Sequence, residues 1–154
     1  TVLSFTKVQQ QIKKTAPEPY LTLMLRLCMM KTAGMLAEKI NAQCLVTGES
    51  LAQVASQTIE NISITDSYSP LPVMRPLIGM DKEEIIRYAL SIDTYAISIL
   101  PYADCCVLFS PKHPVLHTRK EDADAIYERM NIEPFLLEAF ENRETKKIGY
   151  GGAV

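Results

Sequence analysis

The sequence lacks long apolar runs and lacks an excess of either charge. No stretch approaches the roughly 18 consecutive apolar residues that a membrane-spanning helix needs. The formal net charge of the 154 residues is −2, so no overall positive field indicates a nucleic-acid partner. This net charge does not exclude a local basic patch on the surface. The first residues have neither the basic start nor the long apolar core of a signal peptide. These absences predict a cytoplasmic protein with no membrane attachment.

The four cysteines lack the spacing of a metal site. The sequence contains no Cys-x-x-Cys pair, and His113 and His117 have no evident partner residues at metal-ligand spacing, so we expect no tightly bound metal. It also contains no phosphate-binding glycine loop. Cys28 and Cys44 lie in apolar segments, which predicts that both are buried fillers. An initiating methionine is absent and the chain closes on a glycine-rich stretch, residues 149–154, so we expect a piece of a longer protein.

What is present is enough for one folded domain. The length is ordinary for a single domain, and a hydrophobic content of 47% can form a core. Asp81, with Glu84 three residues later, predicts a capping box at the start of one helix. The alternation of elements predicts an α/β fold, with a Rossmann-like parallel sheet and helices on both faces. The expected helices are 5–14, 20–41, 51–62, 81–91, 119–130 and 134–142, and the expected strands are 44–46 and 73–77.

One stretch, residues 44–58, organises the candidate site. Residues 44–46 predict a buried strand, residues 47–50 a turn, and the apolar spacing from Leu51 a helix that Ser50 caps. Ligands of open parallel sheets bind outside the carboxyl ends of strands, where helix N-termini present free N–H groups. Gly48 would let a ligand approach the backbone closely. The alternative interpretation is an ordinary strand-to-helix turn.

Arg26 is the only charged residue in an apolar segment of the longest predicted helix. It admits two interpretations. The side chain could extend its charged end to the helix edge, or it could be a cation held in an apolar wall to meet a phosphate or a nucleotide.

Cys105 and Cys106 form the strongest chemical candidate. Adjacent Cα atoms lie about 3.8 Å apart, less than the usual disulfide range of about 4.4–6.8 Å, so we expect no bond between them. A cysteine near Lys112 and Arg119 could act as a thiolate nucleophile or as a persulfide carrier. The alternative is a pair of small buried residues that opens a short strand.

Three long motifs resemble those of the ThiI family of tRNA 4-thiouridine synthetases. They are residues 47–58 (TGESLAQVASQT), 75–82 (RPLIGMDK) and 101–106 (PYADCC). The resemblance runs from about residue 5 to the last helix, and Asp93 stands where many members have glycine. It implies that residues 1–145 are the C-terminal portion of a PP-loop ATP pyrophosphatase domain, with residues 146–154 as a tail. The Ser-Gly-Gly-x-Asp-Ser loop of that family and its tRNA-holding THUMP module are absent from this sequence.

The resemblance also implies an activity and its residues. ATP, accompanied by Mg²⁺, would adenylate a uridine of tRNA, and sulfur from a persulfide would then displace AMP. The nucleotide contacts of the family correspond to Arg26, Gly48 and Gln57. The sulfur-transfer cysteine corresponds to Cys106 or Cys105, with Cys106 favoured.

The implied partners are tRNA, a cysteine desulfurase as sulfur donor, a sulfur-carrier protein and a second copy of the chain in a homodimer. The family is also linked to sulfur supply for the thiazole of thiamine. Two alternatives stay open: an ATP pyrophosphatase acting on a thiamine-pathway sulfur carrier, and a non-catalytic fragment for tRNA docking or oligomerisation. Without its phosphate loop, the isolated chain is expected to be inactive.

Overall fold

A computed structural model describes residues 1–102 and 109–147. The described residues form a helix-rich α/β arrangement with one small parallel sheet. Two 3₁₀ helices, Glu18–Tyr20 and Ala55–Gln57, lie between the longer elements. The helices and strands in chain order are α1 (Thr6–Thr15), α2 (Leu21–Lys39), β1 (Leu45–Val46), α3 (Ile59–Asp66), β2 (Val73–Met74), α4 (Lys82–Ser91), α5 (Tyr95–Ser98), α6 (Lys120–Met130) and α7 (Glu133–Glu141).

The hydrophobic core lies among the helices rather than on the sheet. Helix α2 is its centre, because apolar residues face neighbours on several sides of this helix: α1, α3 and α7 pack against it, and α6 packs against α1. Each fully buried large aliphatic side chain contributes about 1.5–3 kcal/mol through its removal from water. The largest buried apolar side chains are Val8, Ile12, Met24, Leu25, Leu27, Phe109, Met130, Ile132 and Leu136.

The sheet consists of β1 and β2, which pair in parallel. Leu45 lies opposite Val73, and Val46 lies opposite Met74. Because successive side chains of a strand point to opposite faces, one face carries Leu45 and Val73 towards the helices. The other carries Val46 and Met74, which are 67% and 54% exposed. Among the described residues, this second apolar face has no helix covering it.

Five of the expected helices are confirmed to within one or two residues. These are α1, α2, α4, α6 and α7. The capping box of α4 is also confirmed: the Asp81 carboxylate accepts from the Glu84 N–H at 2.8 Å, and the Glu84 carboxylate accepts from the Asp81 N–H at 2.9 Å. Apolar periodicity and capping involve residues that are close in sequence, so the helices that they predict are also found in the tertiary structure.

The helix expected over residues 51–62 is wrong at its start. Ala52 has a φ of 60°, Val54 is extended, and α3 begins only at Ile59. Thr58 is the N-cap, with its side chain accepting from the Asn61 N–H at 3.2 Å. Ser50 is not a cap, because its hydroxyl instead donates to the carbonyl of Met80 at 2.7 Å. Contacts with the segment after β2 therefore override the local helical spacing.

Helix α4 ends in a Schellman motif at Asp93. The Asp93 N–H donates to the carbonyl of Leu90 at 3.3 Å, and the Thr94 N–H donates to that of Ala89 at 2.9 Å. This motif requires a left-handed residue, and Asp93 has a φ of 61°. Glycine adopts that conformation without a steric penalty, which is consistent with the glycine that the resemblance implies at this position.

Candidate functional site

The candidate site lies at the carboxyl ends of β1 and β2. Because the strands are parallel, the segments that leave them begin at the same edge of the sheet. The Thr47 N–H donates to the carbonyl of Met74 at 3.0 Å, which extends the pairing to the end of β2. The segment 47–50 follows β1, and Arg75 follows β2.

Glu49 is the centre of a charged cluster at this edge. It is 4% exposed, and both carboxylate oxygens have partners. Oε1 accepts from Nη2 of Arg26, while Oε2 accepts from Nε of Arg75 at 2.8 Å and from the Thr47 hydroxyl at 2.7 Å. Arg75 also holds both carboxylate oxygens of Asp66, at the end of α3. The cluster therefore joins α2, α3 and both strand ends.

The structure places the Arg26 side chain, which is 23% exposed, against the buried carboxylate of Glu49 rather than at a free helix edge. Neither sequence-based interpretation included this partner. A guanidinium carries five N–H donors in a fixed plane, and Arg26 directs one of them, on Nη2, to the Glu49 carboxylate. The assignment of Arg26 to a nucleotide stays a prediction.

Gly48 lies next to Glu49 and is exposed. A Cβ built on Gly48 would have no atom of another described residue within 4 Å, so the backbone is accessible from outside. Four residues later, Ala52 occupies the left-handed region, which costs an L-residue about 1–2 kcal/mol. Strain of this kind is often found at ligand-binding segments.

Gln57 does not lie in a long helix, as the sequence suggested, but in the 3₁₀ helix Ala55–Gln57. Its carbonyl accepts from the Ala52 N–H at 2.9 Å, which folds the segment 52–57 back on itself. The side chain of Gln57 is half-buried. Arg26 thus contacts Glu49, the residue after Gly48, at the end of β1, and Gln57 belongs to the segment that continues from there.

Two cavities border this region. One, of about 420 Å³, is lined by residues 51–53 and 78–82. The other, of about 500 Å³, lies against α3 and β2 and includes Arg75 and Asp66 beside apolar side chains. Both volumes are in the range of small-molecule sites.

Cys105 and Cys106, the expected sulfur-transfer residues, lie outside the described residues. Phe109, the first described residue after them, is 1% exposed, and its carbonyl accepts from the hydroxyl of Thr22. Thr22 lies four residues before Arg26, which is about one turn of α2. The chain that follows the two cysteines is therefore anchored on the helix that carries Arg26.

The same chain is also fixed to α3. The side-chain Nδ2 of Asn61 donates to the backbone carbonyls of Ala55 and Val115, both at 3.0 Å. The Thr58 hydroxyl donates to the carbonyl of Leu116 at 2.7 Å. The buried Asn61 side chain therefore ties the Gln57 segment to residues downstream of the cysteines.

The other two cysteines differ in burial. Cys28 is fully buried in the core as expected, while Cys44 is only partly buried. Burial, with a smaller effect from the Glu133 carboxylate, raises the pKa of the Cys28 thiol to about 12. Cys28 therefore stays protonated near neutral pH and cannot act as a nucleophile there.

In residues 1–102 and 109–147, no set of three or more His, Cys, Asp or Glu side chains is grouped as a metal site. No helix in these ranges combines the length and apolarity required to cross a bilayer.

Sequence reasoning missed Glu49 and Arg75 as site residues. Glu49 was included only as part of the turn after β1. Its position directly after the strand, among turn residues, was the available signal. Its two arginine partners lie 23 and 26 residues away in sequence, so no local pattern links them to Glu49.

Comparison with known proteins shows the family. The family model "Thiamine biosynthesis protein (ThiI)" matches residues 1–132. A protein from Treponema pallidum (strain Nichols), described as a probable tRNA sulfurtransferase, is 54% identical over 151 residues, covering 98% of this chain and 37% of the relative. A protein of the same description from Acetivibrio thermocellus is 44% identical over 147 residues, covering 96% and 38%.

A solved structure agrees with these relatives. The crystal structure of a 4-thiouridine synthetase–RNA complex with bound ATP has a TM-score of 0.85 and 40% identity, covering 92% of this chain and 37% of that one. The chain thus spans just over a third of the length of the relatives it matches. The match over most of its residues, in sequence and in fold, shows that the chain belongs to the ThiI family.

Proposed function

We propose that this chain is the C-terminal portion of the PP-loop domain of an ATP-dependent tRNA sulfurtransferase, which makes 4-thiouridine in tRNA. The observation that carries the proposal is the accessible Gly48 backbone next to Glu49, which binds the Arg26 guanidinium, at the carboxyl end of a parallel strand. A nucleotide at this edge would follow the general rule for open α/β sheets. The 54% identical relative described as a probable tRNA sulfurtransferase supports the reaction class.

ATP is the proposed cofactor, and the residues present fit it. Arg26 would meet a phosphate, Gly48 would allow the nucleotide to approach the backbone, and the Gln57 amide would hydrogen-bond the base or ribose. The structural neighbour is a complex with bound ATP. Mg²⁺ would be held mainly by the phosphates and by water, as it commonly is.

The chemistry consists of an adenylation followed by a sulfur transfer. The C4 oxygen of a uridine attacks the α-phosphorus of ATP, and pyrophosphate leaves. Cys106, favoured over Cys105, attacks the inner sulfur of a donor persulfide, forms a disulfide with the donor and releases hydrosulfide. Hydrosulfide then attacks C4 of the adenylated uridine, and AMP leaves with the oxygen. A thiol reductant restores Cys106.

A second version keeps the sulfur on the protein. Cys106 attacks the terminal sulfur of the donor persulfide, becomes a persulfide itself, and the donor leaves as a thiolate. The terminal sulfur of Cys106 attacks C4 and displaces AMP. A further thiol then attacks the Cys106 sulfur of the resulting S–S bond, which forms a disulfide with Cys106 and frees the thiolated base. A cysteine desulfurase would supply the persulfide in both versions.

The proposed assembly is a cytoplasmic homodimer in which the Rossmann-like sheet continues beyond β1 and β2. The uncovered apolar face of the sheet supports further elements there. No residue of α4 or α5 is buried. Exposed apolar side chains on and after these helices support a protein interface, and they are Tyr88, Leu90, Ile92, Ile97, Ile99 and Tyr102.

The test is thiolation of unmodified tRNA by the complete protein that contains this chain. ATP, Mg²⁺, cysteine and a cysteine desulfurase are supplied, and thiolated tRNA is detected by its retardation in an organomercurial gel. We expect product with the complete protein, none without ATP, and none with the isolated 154 residues. Cys106→Ser should abolish product, while Cys105→Ser should retain it as the matched control. Product from a Cys105→Ser/Cys106→Ser variant would contradict the proposed cysteine chemistry.

A second candidate function is supported by the description of the family model, which names thiamine biosynthesis. In this version, the same adenylation and sulfur transfer act on a thiamine-pathway sulfur-carrier protein. Pyrophosphate release separates the two functions. Stimulation by tRNA alone supports tRNA thiolation, while stimulation by the carrier alone supports the second candidate.

A further inference from the structure

Glu49 is a buried carboxylate at the edge where the nucleotide is proposed to bind, which is an unusual place for a negative charge. A carboxylate near a phosphate site opposes anion binding through simple Coulomb repulsion. Glu49 nevertheless lies next to Gly48 and contacts Arg26, the two residues proposed to meet the nucleotide. Its presence there requires a compensating role.

The contacts of Glu49 show what that role can be. The Thr47 hydroxyl and the Arg75 guanidinium hold Oε2, at 2.7 and 2.8 Å. Arg75 is itself fixed, because Asp66 takes its two terminal nitrogens and only 8% of its side chain is exposed. The Glu49 carboxylate thus has one fixed oxygen, which leaves Oε1 in a defined place for Arg26.

The arrangement orders the Arg26 side chain before any ligand arrives. An arginine loses considerable rotamer freedom when it is immobilised. If Glu49 imposes that order in the free protein, the nucleotide does not have to. Part of the binding energy would otherwise be lost in ordering the arginine.

We propose that Glu49, held by Thr47 and Arg75, is a positioning residue that fixes the Arg26 guanidinium for the phosphates of the nucleotide. This rests on the proposed function in one respect, namely that a nucleotide binds at Arg26. It adds a residue to the site, and it separates Arg26, which meets the ligand, from Arg75, which secures Glu49.

The experiment measures ATP binding by calorimetry, with thermal unfolding as the folding control, in the complete protein. The variants are Glu49→Gln, Arg26→Lys and the double variant. Glutamine keeps the shape of the side chain but has one acceptor oxygen, so it cannot serve both arginines. We expect Glu49→Gln to raise the Kd for ATP about tenfold, in the range of a lost hydrogen bond to a charged group. Arg26→Lys should raise it at least as much.

The double variant carries the decisive comparison. Because Glu49 acts through Arg26, adding Glu49→Gln to Arg26→Lys should raise the Kd by less than about twofold. Glu133→Gln is the matched control. Glu133 pairs with Lys31, which lies on the same helix as Arg26, and the change should leave the Kd unaltered.

The outcomes distinguish this proposal from the proposed function. If Glu49→Gln and Arg26→Lys multiply independently, or if Glu49→Gln only lowers the unfolding temperature, the positioning role is wrong while tRNA thiolation can stand. If the coupled loss of ATP affinity is seen in a protein that thiolates no tRNA, the positioning role stands and the proposed function fails. If the unaltered protein binds no ATP, both are wrong.

Discussion

The packing of α2 against the connection between α3 and β2 can be tested by adding a single methyl group at Gly34. Gly34 is buried on α2. A Cβ at this position would lie 2.4 Å from Cδ and 2.9 Å from Cγ of Pro70. Because Cδ is bonded to the Pro70 backbone nitrogen, it cannot rotate away as the end of a flexible side chain could. The Gly34→Ala change therefore forces the helix and the connection apart.

The magnitude follows from two opposing effects. Alanine in a helix interior is favoured over glycine by about 1 kcal/mol. The new methyl lies about 1 Å closer to Cδ than ordinary contact allows, and overpacking of this kind costs about 3 kcal/mol at the upper end of its usual range. We expect a net loss of about 2 kcal/mol in the free energy of unfolding. For a chain of this size, that lowers the melting temperature by about 4–8 °C.

The assay is thermal and urea unfolding of the purified 154-residue chain, followed by circular dichroism. Pro70→Ala removes Cγ and Cδ and provides the matched background. There, Gly34→Ala should be neutral or stabilising by up to about 1 kcal/mol, because only the helix preference remains. An unaltered or raised melting temperature for Gly34→Ala alone, or a loss that persists with Pro70→Ala, would refute the reasoning.

Three other predictions concern the site, the core and the end of α4. Gly48→Ala should change the free energy of unfolding by less than about 0.5 kcal/mol, because its Cβ meets no described neighbour. It should nevertheless weaken ATP binding by the complete protein about tenfold, and equal affinity for ATP would contradict the proposed approach at Gly48. Because the folded state keeps the proton of Cys28, with a pKa of about 12, stability should fall as pH rises above about 9, by up to about 1.4 kcal/mol per unit. Urea unfolding between pH 8 and 10 checks this, and Cys28→Ala should flatten the dependence. Asp93→Gly should slow hydrogen exchange of α4 by relieving a φ of 61°, and faster exchange would show that the left-handed turn does not limit this helix.

Local features of the sequence predicted most of the helical framework. The apolar spacing of α1, α2, α6 and α7 and the capping box of α4 involve residues at most a few positions apart. Their energies depend little on the rest of the chain, so they could be read without the fold. The motifs at 47–58 and 75–82 likewise indicated the ThiI family, which the comparisons confirm.

The same local reading failed where distant segments compete with it. Leu51, Val54 and Ala55 have helical spacing, but the Leu51 N–H donates to the carbonyl of Ile78 at 3.0 Å and Ser50 donates to that of Met80. These bonds come from the segment after β2, so residues 51–57 turn instead of coiling, and α3 starts at the Thr58 cap. A pattern confined to residues 50–62 cannot contain that information.

The sequence by itself determined the family, the helical segments and the residues that the family resemblance assigns to the nucleotide. Only the tertiary structure decided that Arg26 lies against Glu49, and that Arg75 and Thr47 hold Glu49 in place. The physical reason is distance along the chain. A buried carboxylate is stable only when its charge partners surround it, and here those partners come from α2 and from the end of β2, which meet only after the chain has folded.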